Sequence, residues 1–376
     1  MARGKTSRFD PEAALRPAIR ALPGYQGVED LETVAAAYGV RAEDVIKLDG
    51  NENPYGPAPR ALAALRGDYP VHRYPDAEQR KLRAALGRHV GVDPASVVVG
   101  AGSDELIEIL FRLFVDAGDR ILVATPTFGM YDFDGRLHGA EVVDVPRTED
   151  WSLDAEGLLD AAAGARAVFI PSPNNPTGGL LPVALAERLL ETGALVVIDE
   201  AYIEFAHAES LARRAATEPA LAVMRTFSKW GGLAGLRVGY GVMAPAIVDL
   251  ILRAKQPYNV SIAAEVGALA TLEDAAVLDD RACVLAGERE RMAKALRALG
   301  WVAPWPSEAN FLLCRLTRFD GRAVRDALRR RGVFVRYFET PRLRDHIRMS
   351  MGTPEQNDRV LEVFAEVERE LGAAGG

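Results

Sequence analysis

The chain has few cysteines and no surplus of positive charge. Only 2 cysteines occur among 376 residues, Cys283 and Cys314, and they lack the close spacing of metal ligands. We therefore expect no metal site and a reducing compartment, the cytoplasm. The formal net charge of -8 argues against a nucleic-acid partner or an anionic-membrane partner, since both present negative charge. A locally basic pocket for a small anionic substrate remains compatible with that charge.

Long apolar runs are also missing. No uninterrupted apolar stretch approaches the length of a membrane span, and residues 1–20 contain basic residues without the apolar core of a secretory signal. With 49% hydrophobic and 26% charged residues, the composition is typical of a globular protein. The chain is longer than one hydrophobic core usually supports, which predicts two packed units.

From about residue 96, short runs of β-branched residues alternate with helix-like stretches. This alternation predicts an α/β fold whose large unit holds a mostly parallel sheet flanked by helices. After a long helical stretch, a second mixture of strands and helices predicts a smaller α+β unit. We expect an N-terminal arm and helix at residues 1–45 that pack with the small unit, a large unit at 46–270, and the small unit at 271–376. The seven predicted strands of the large unit cover residues 97–99, 120–123, 142–145, 167–170, 195–198, 222–224 and 238–242.

Polar clusters directly follow five of these predicted strands. In open parallel sheets, the carboxyl ends of the strands line the ligand crevice. Five clusters at five strand ends therefore predict one shared site. The clusters cover residues 100–105, 125–131, 172–178, 199–202 and 226–229.

The most informative cluster lies within residues 225–237. Lys229 ends a strand, a glycine-rich loop follows, and Arg237 returns eight residues later. Ser228 and Arg237 suit a phosphate, because its oxygens accept from a hydroxyl and from a bidentate guanidinium. Lys229 can condense with an aldehyde if its surroundings keep the amine partly deprotonated. A solvated surface Ser–Lys pair is the ordinary alternative, and this context argues against it.

The other clusters are ambiguous on their own. Ser103 and Asp104 begin a helix after a glycine turn, where free N–H groups attract a phosphate. Simple helix capping explains the same two residues. The acidic pair at 199–200 suits a magnesium ion or a helix cap. The segment at 172–178 has the composition of a rigid surface turn.

Together these residues resemble the fold-type-I aminotransferases, which depend on pyridoxal 5'-phosphate (PLP), and most closely the histidinol-phosphate aminotransferases. The resemblance runs from residues 48–54 to residues 348–353. Its most specific parts surround Asn175, Asp199 and Lys229, which occur in the order and approximate spacing of the family. The resemblance implies the PLP-dependent transferase fold of type I, with a seven-stranded sheet in the large unit.

The resemblance also implies roles around the cofactor ring. Lys229 is similar to the lysine that holds PLP as a Schiff base and moves the substrate proton, and Asp199 to the acid that pairs with the pyridine nitrogen. Such a pair, about 4 Å apart at an effective dielectric of about 20, gains ~4 kcal/mol, which supports ring protonation by about three pKa units. A protonated ring is the electron sink for an α-carbanion. Asn175 and Tyr202 match partners of the ring oxygen, and Phe128 matches the stacked aromatic unless it is an ordinary core residue.

The cofactor phosphate has its own set of residues in the family. The resemblance implies that the backbone N–H groups of Ser103 and Asp104 bind it together with Ser228 and Arg237. Tyr74 resembles a tyrosine that the neighbouring subunit supplies, which implies a homodimer with isologous pairing. A turn tyrosine is an equally good interpretation of Tyr74.

Two arginines and two tyrosines resemble the substrate pocket of the family. Arg348 matches the arginine that binds a substrate carboxylate, and Arg336 resembles one typical of the histidinol-phosphate enzymes. A phosphate dianion further from the α-carbon calls for more than one guanidinium. Tyr25 and Tyr258 resemble pocket tyrosines. A salt-bridged surface arginine and a packed aromatic are the alternatives for Arg336 and Tyr258.

The resemblance implies a reaction between small molecules in histidine biosynthesis. Histidinol phosphate and 2-oxoglutarate would be interconverted with imidazole-acetol phosphate and glutamate. Two other enzymes remain open, an aromatic amino acid aminotransferase and a threonine-phosphate decarboxylase. A non-enzymatic PLP-binding regulator is disfavoured, because the short N-terminal stretch has no helix-turn-helix pattern.

Overall fold

The computed structural model describes residues 9–20, 22, 27 and 30–374. The helices are α1 (Pro11–Ala14), α2 (Pro17–Arg20), α3 (Leu31–Ala37), α4 (Pro59–Leu65), α5 (Arg80–Val90), α6 (Ser103–Phe114), α7 (Met130–His138), α8 (Ala155–Ala162), α9 (Val183–Leu190), α10 (Ala212–Ala215), α11 (Pro245–Ala254), α12 (Ile262–Glu273), α13 (Ala275–Ala298), α14 (Gly321–Arg329) and α15 (Pro354–Ala374). The strands are β1 (Ile46–Leu48), β2 (Val97–Gly100), β3 (Arg120–Val123), β4 (Glu141–Asp144), β5 (Ala167–Pro171), β6 (Leu195–Asp199), β7 (Leu221–Thr226), β8 (Gly239–Met243), β9 (Val302–Pro304), β10 (Phe311–Leu316), β11 (Val333–Tyr337) and β12 (His346–Ser350).

The larger sheet has seven strands in the order β2-β8-β7-β6-β5-β3-β4. Strands β7, β6, β5, β3 and β4 run parallel, whereas β8 pairs antiparallel with both β7 and β2. The predicted mostly parallel seven-stranded sheet is therefore confirmed. Its strands are continuous apolar runs because helices cover both faces of a sheet of this kind.

The side chains of this sheet pack in two apolar cores, one on each face of the sheet. Val98 packs in the core that α6 and α11 cover, while Val97 and Val99 on the same strand pack in the core on the opposite face. Successive side chains of a strand point to opposite faces, which accounts for the division. The backbone carboxyl ends of β5, β6 and β7 are thereby held at one rigid edge.

The smaller sheet has five strands in the order β1-β11-β12-β10-β9. Strand β1 pairs parallel with β11, and the remaining pairs are antiparallel. Helices α13 and α14 contact this sheet, and α15 contacts both helices. Residues 46–48 thus hydrogen-bond within the smaller sheet, although the sequence-based division places them with the large unit. The predicted boundary at residue 270 falls inside α12, which packs against α4 and α5.

The N-terminal helices contact both parts of the chain. Helix α3 packs Val34 and Ala35 against Phe334 of β11, and the Tyr38 hydroxyl donates to Asp326 at 2.8 Å. Helix α2 instead lies against α7 beside the larger sheet. Within the described ranges, no helix combines the length and apolar character needed to cross a bilayer.

Candidate active site

One cavity of about 490 Å³ lies where the carboxyl ends of the large sheet meet the smaller sheet. Among the described residues predicted for the site, all but Tyr74 and Tyr258 line it. The predicted residues that it brings together are Ser103, Asp104, Phe128, Asn175, Asp199, Tyr202, Ser228, Lys229, Arg237, Arg336 and Arg348. All five polar clusters that follow predicted strands therefore contribute to one cavity.

Lys229 follows β7 and projects its amine into this cavity. Its Nζ donates to the backbone carbonyl of Gly50 at 2.9 Å. Burial, reinforced by the positive charge of Arg348, lowers the pKa of Lys229 to about 8. An amine with that pKa is partly neutral near physiological pH, and a neutral amine is the nucleophilic form.

Asp199 ends β6 and is only 6% exposed. Its Oδ2 accepts from the Tyr131 hydroxyl at 2.8 Å, and its Oδ1 accepts from the Ala201 backbone N–H at 3.0 Å. Burial raises the pKa of Asp199 to about 6, and the hydrogen bond from Tyr131 opposes that rise. A desolvated carboxylate of this kind is stabilised by a cationic group placed beside it.

Another part of the cavity lining presents donors suited to an anion. Arg237 has a left-handed backbone with φ 50°, and its Nη2 lies 2.8 Å from the Asp104 carboxylate. Ser228 is buried, and its hydroxyl lies 3.0 Å from that of Thr226. Helix α6 begins at Ser103, so its free N–H groups lie in the same part of the lining.

Two glycines allow this close approach. A Cβ at Gly102, where φ is +86°, would lie 2.8 Å from Nη2 of Arg237. A Cβ at Gly239 would lie 2.5 Å from the backbone nitrogen of Ser103. Because real Cβ atoms essentially never come that close, larger residues would displace the guanidinium or the start of α6.

The smaller sheet supplies two arginines to the cavity. Arg348 on β12 is 7% exposed, and its Nη1 donates to Oδ1 of Asn175 at 2.6 Å. A second nitrogen of Arg348 donates to the carbonyl of Asp49. Arg336 on β11 lies directly opposite Arg348 in the register of the two strands. Two arginines from neighbouring strands of the smaller sheet therefore line the cavity.

Several residues that shape the site were not predicted from the sequence. Asn51 is 1% exposed and donates through Nδ2 to the Tyr202 hydroxyl at 3.0 Å. Tyr131 binds Asp199 as described, and Thr226 contacts Ser228. Asn51 and Tyr131 both lie in segments that carried the resemblance or a polar cluster. Nothing in the spacing of those segments indicates which side chain each of them contacts.

Two predicted residues that the structure describes, Tyr74 and Tyr258, do not line the cavity. Tyr74 is 81% exposed and stacks on Tyr258, with ring centroids 4.4 Å apart. Tyr25 lies outside the described residues. Roles for these three tyrosines stay predictions.

The two acids at the end of β6 bind different partners. Glu200 turns away from Asp199 and lies 3.3 Å from Arg225 in a buried ion pair. It also accepts from the hydroxyl of Ser210 and the N–H of Leu211. Within the part of the chain that the structure describes, no group of three or more His, Cys, Asp and Glu side chains is arranged to hold a metal ion.

The cavity combines a buried lysine, a buried carboxylate and a group of anion donors around Arg237. These three features fit, in that order, the aldehyde, the ring nitrogen and the phosphate of PLP. They define the class of PLP-dependent enzymes. Residues 43–364 match the family described as aminotransferase class I and II. The chain belongs to this family, and its cofactor is PLP.

Relatives and solved structures match nearly the whole chain. A histidinol-phosphate aminotransferase of Roseiflexus castenholzii is 50% identical over 367 residues, covering 94% of this chain and 98% of the relative. A chloroplastic histidinol-phosphate aminotransferase of Nicotiana plumbaginifolia is 40% identical, covering 94% and 87%. The crystal structure of the histidinol-phosphate aminotransferase from Sinorhizobium meliloti, in complex with PLP, has a TM-score of 0.86 at 31% identity and covers 97% of this chain and 99% of its own.

Covalent capture of PLP by the apoprotein should depend on pH through Lys229. Its pKa of about 8 means that the amine is mostly protonated and unreactive below pH 8. The capture rate should rise about tenfold per pH unit up to that point and then level off. Stopped-flow absorbance measures the rate, and borohydride reduction with peptide mapping identifies the residue. A rate independent of pH, or a label on another lysine, would contradict the assignment.

Gly239→Ala should weaken binding of PLP by at least about tenfold, since the start of α6 must shift and a lost hydrogen bond to a charged group costs roughly 1.5–3 kcal/mol. The added methyl meets the backbone of Ser103. Gly235→Ala is the matched control, because its Cβ would meet nothing within 4 Å. Fluorescence titration of each apoprotein gives the dissociation constants. Equal affinities of the two variants would argue against an anion site at the start of α6.

Proposed function

We propose that this chain is a histidinol-phosphate aminotransferase. It interconverts L-histidinol phosphate and 2-oxoglutarate with imidazole-acetol phosphate and L-glutamate, a step in histidine biosynthesis. The observation that carries the proposal is the pair of facing arginines, Arg336 and Arg348, in the cavity that holds Lys229. The names of the near-full-length relatives support the same reaction.

The arginine pair suits the substrate because of its charge and its reach. Histidinol phosphate carries a phosphate ester where an α-amino acid carries its carboxylate. A phosphate has more acceptor oxygens and more charge than a carboxylate, so two guanidinium groups complement it better than one. Glutamate presents a carboxylate that the same pair can bind, which allows both half-reactions in one cavity.

The other residues of the cavity bind or position the cofactor in this proposal. When bound, PLP supplies an electron sink that stabilises negative charge at the substrate α-carbon. Asp199 would place a carboxylate beside the ring nitrogen, and Phe128 would cover one face of the ring. Asn175 and Tyr202 would bond to the ring oxygen. Lys229, with its lowered pKa, accepts and returns the proton of the α-carbon.

The proposal includes a homodimer in which Tyr74 completes the neighbouring site. Tyr74 and Val71 are 81% and 76% exposed, and Tyr258, stacked on Tyr74, is 42% exposed. Apolar side chains grouped at the surface in this way favour burial against another protein surface. A second copy of the chain would bury them through isologous contacts.

A cytoplasmic location fits the state of the cysteines. Cys283 is exposed and Cys314 is buried, and neither is in a disulfide. Free thiols persist in a reducing compartment.

Arg336→Gln should raise the KM for histidinol phosphate by about 10- to 100-fold, because one charge-assisted hydrogen bond is worth roughly 1.5–3 kcal/mol. The KM for glutamate should change less. Arg322→Gln is the control, since that arginine pairs with Glu339 on the surface of the same unit. Steady-state kinetics with a substrate panel measures these effects. A preference of the unmodified enzyme for phenylalanine, or release of carbon dioxide from phosphothreonine, would instead identify one of the alternative activities.

Mixing two impaired variants tests the shared site. Lys229→Ala removes the amine, and Tyr74→Ala removes the residue proposed to reach the partner. After random re-pairing, half of the dimers contain one intact site, so about a quarter of the unmodified activity should return. Activity no greater than that of the separate variants, or a monomer by light scattering, would rule out the shared site.

A further inference from the structure

We propose that Tyr131 is a positioning residue that holds Asp199 ionised and fixes the direction of its carboxylate. The proposal rests on the role of Asp199 beside the cofactor ring nitrogen, given above. The Tyr131 hydroxyl donates to Oδ2 of Asp199 at 2.8 Å, and the Ala201 N–H holds the other oxygen at 3.0 Å. A carboxylate held at both oxygens cannot rotate, so its remaining lone pairs keep a fixed direction.

The position of the Tyr131 ring is itself determined by packing. Tyr131 is 0% exposed and lies in the first turn of α7. Phe128 meets the ring edge-on at 5.6 Å, and Phe169 stacks on it at 5.7 Å. Phe128 also lines the cavity. Phe128, the aromatic proposed to cover the cofactor ring, thus lies only three residues before Tyr131, the donor that orients the acid.

The charges around Asp199 explain why such a donor matters. Asp104 at the start of α6 and Glu200 after β6 both raise the pKa of Asp199, in addition to burial, whereas the bonds from Tyr131 and Ala201 lower it. Burial and the nearby Asp199 raise the pKa of the Tyr131 phenol well above its usual value. The phenol therefore remains a donor at any pH at which the enzyme works.

Tyr131→Phe should raise the pKa of Asp199. The variant keeps the ring packing and removes one hydrogen bond to a charged group, which corresponds to about one to two pKa units. The proton shared between Asp199 and the ring nitrogen should then move toward the carboxylate. The readout is the ¹⁵N chemical shift of PLP labelled at the pyridine nitrogen and bound to the enzyme at fixed pH. We expect the shift to move toward that of the unprotonated ring.

A second readout needs no cofactor. The infrared C=O band of protonated Asp199 in the apoprotein, assigned by its loss in Asp199→Asn, should titrate about one to two pH units higher in Tyr131→Phe. Tyr240→Phe is the matched control. It removes another buried hydroxyl, one that accepts from Arg225 at 3.2 Å, and leaves Asp199 untouched. A structural loss alone would lower the unfolding temperature in both variants without moving either spectroscopic signal.

The outcomes separate this inference from the proposed function. If Asp199→Asn changes the ¹⁵N shift but Tyr131→Phe matches the unmodified enzyme in both readouts, Tyr131 only fills space and the inference is wrong. If Asp199→Asn leaves the ¹⁵N shift unchanged, Asp199 does not pair with the ring nitrogen, and that part of the proposed function is wrong. The inference holds if Tyr131→Phe moves both signals and has no further effect on the ¹⁵N shift in the Asp199→Asn background.

Discussion

Desolvation of two ionisable groups at adjacent strand ends is the constraint on which the site depends. Burial lowers the pKa of Lys229 to about 8 and raises the pKa of Asp199 to about 6. Each shift moves a group toward the neutral form that burial favours. Burial of the two charged groups is unfavourable, and the fold tolerates it because β6 and β7 are held in a rigid sheet between two apolar cores. A ligand that offers an aldehyde to the amine and a cationic nitrogen to the acid offsets much of the cost.

The smaller sheet contributes charge to a cavity that the larger sheet frames. Arg348 lies on β12, yet it lowers the pKa of Lys229 and bonds to Asn175 from the loop after β5. Asn51, which follows β1, reaches Tyr202 after β6. The site is thus built at the contact between the two sheets, where binding sites commonly occur. A movement of one sheet relative to the other would change both the acidity of Lys229 and the position of the substrate arginines.

The sequence predicted the larger sheet well because its strands are short apolar runs separated by turns, and five of them end in a polar cluster. The positions of Lys229, Asp199 and Arg237 followed from that pattern together with the family resemblance. The hydrogen-bond partners of those residues could not be predicted from the pattern or from the resemblance. Tyr131 contacts Asp199 across 68 positions of the chain, and such pairing depends on how α7 packs on the sheet. Strand β1 pairs with β11 from nearly the other end of the chain, which no local pattern indicates.

The most direct test of the account is a single half-reaction. Histidinol phosphate is added to the PLP-loaded enzyme without any keto acid, and the visible spectrum of the bound cofactor is recorded. We expect complete conversion of the bound cofactor to the pyridoxamine form within one turnover, and no conversion in Lys229→Ala. A spectrum that stays unchanged with histidinol phosphate, while glutamate or phenylalanine converts the cofactor, would contradict the proposed substrate.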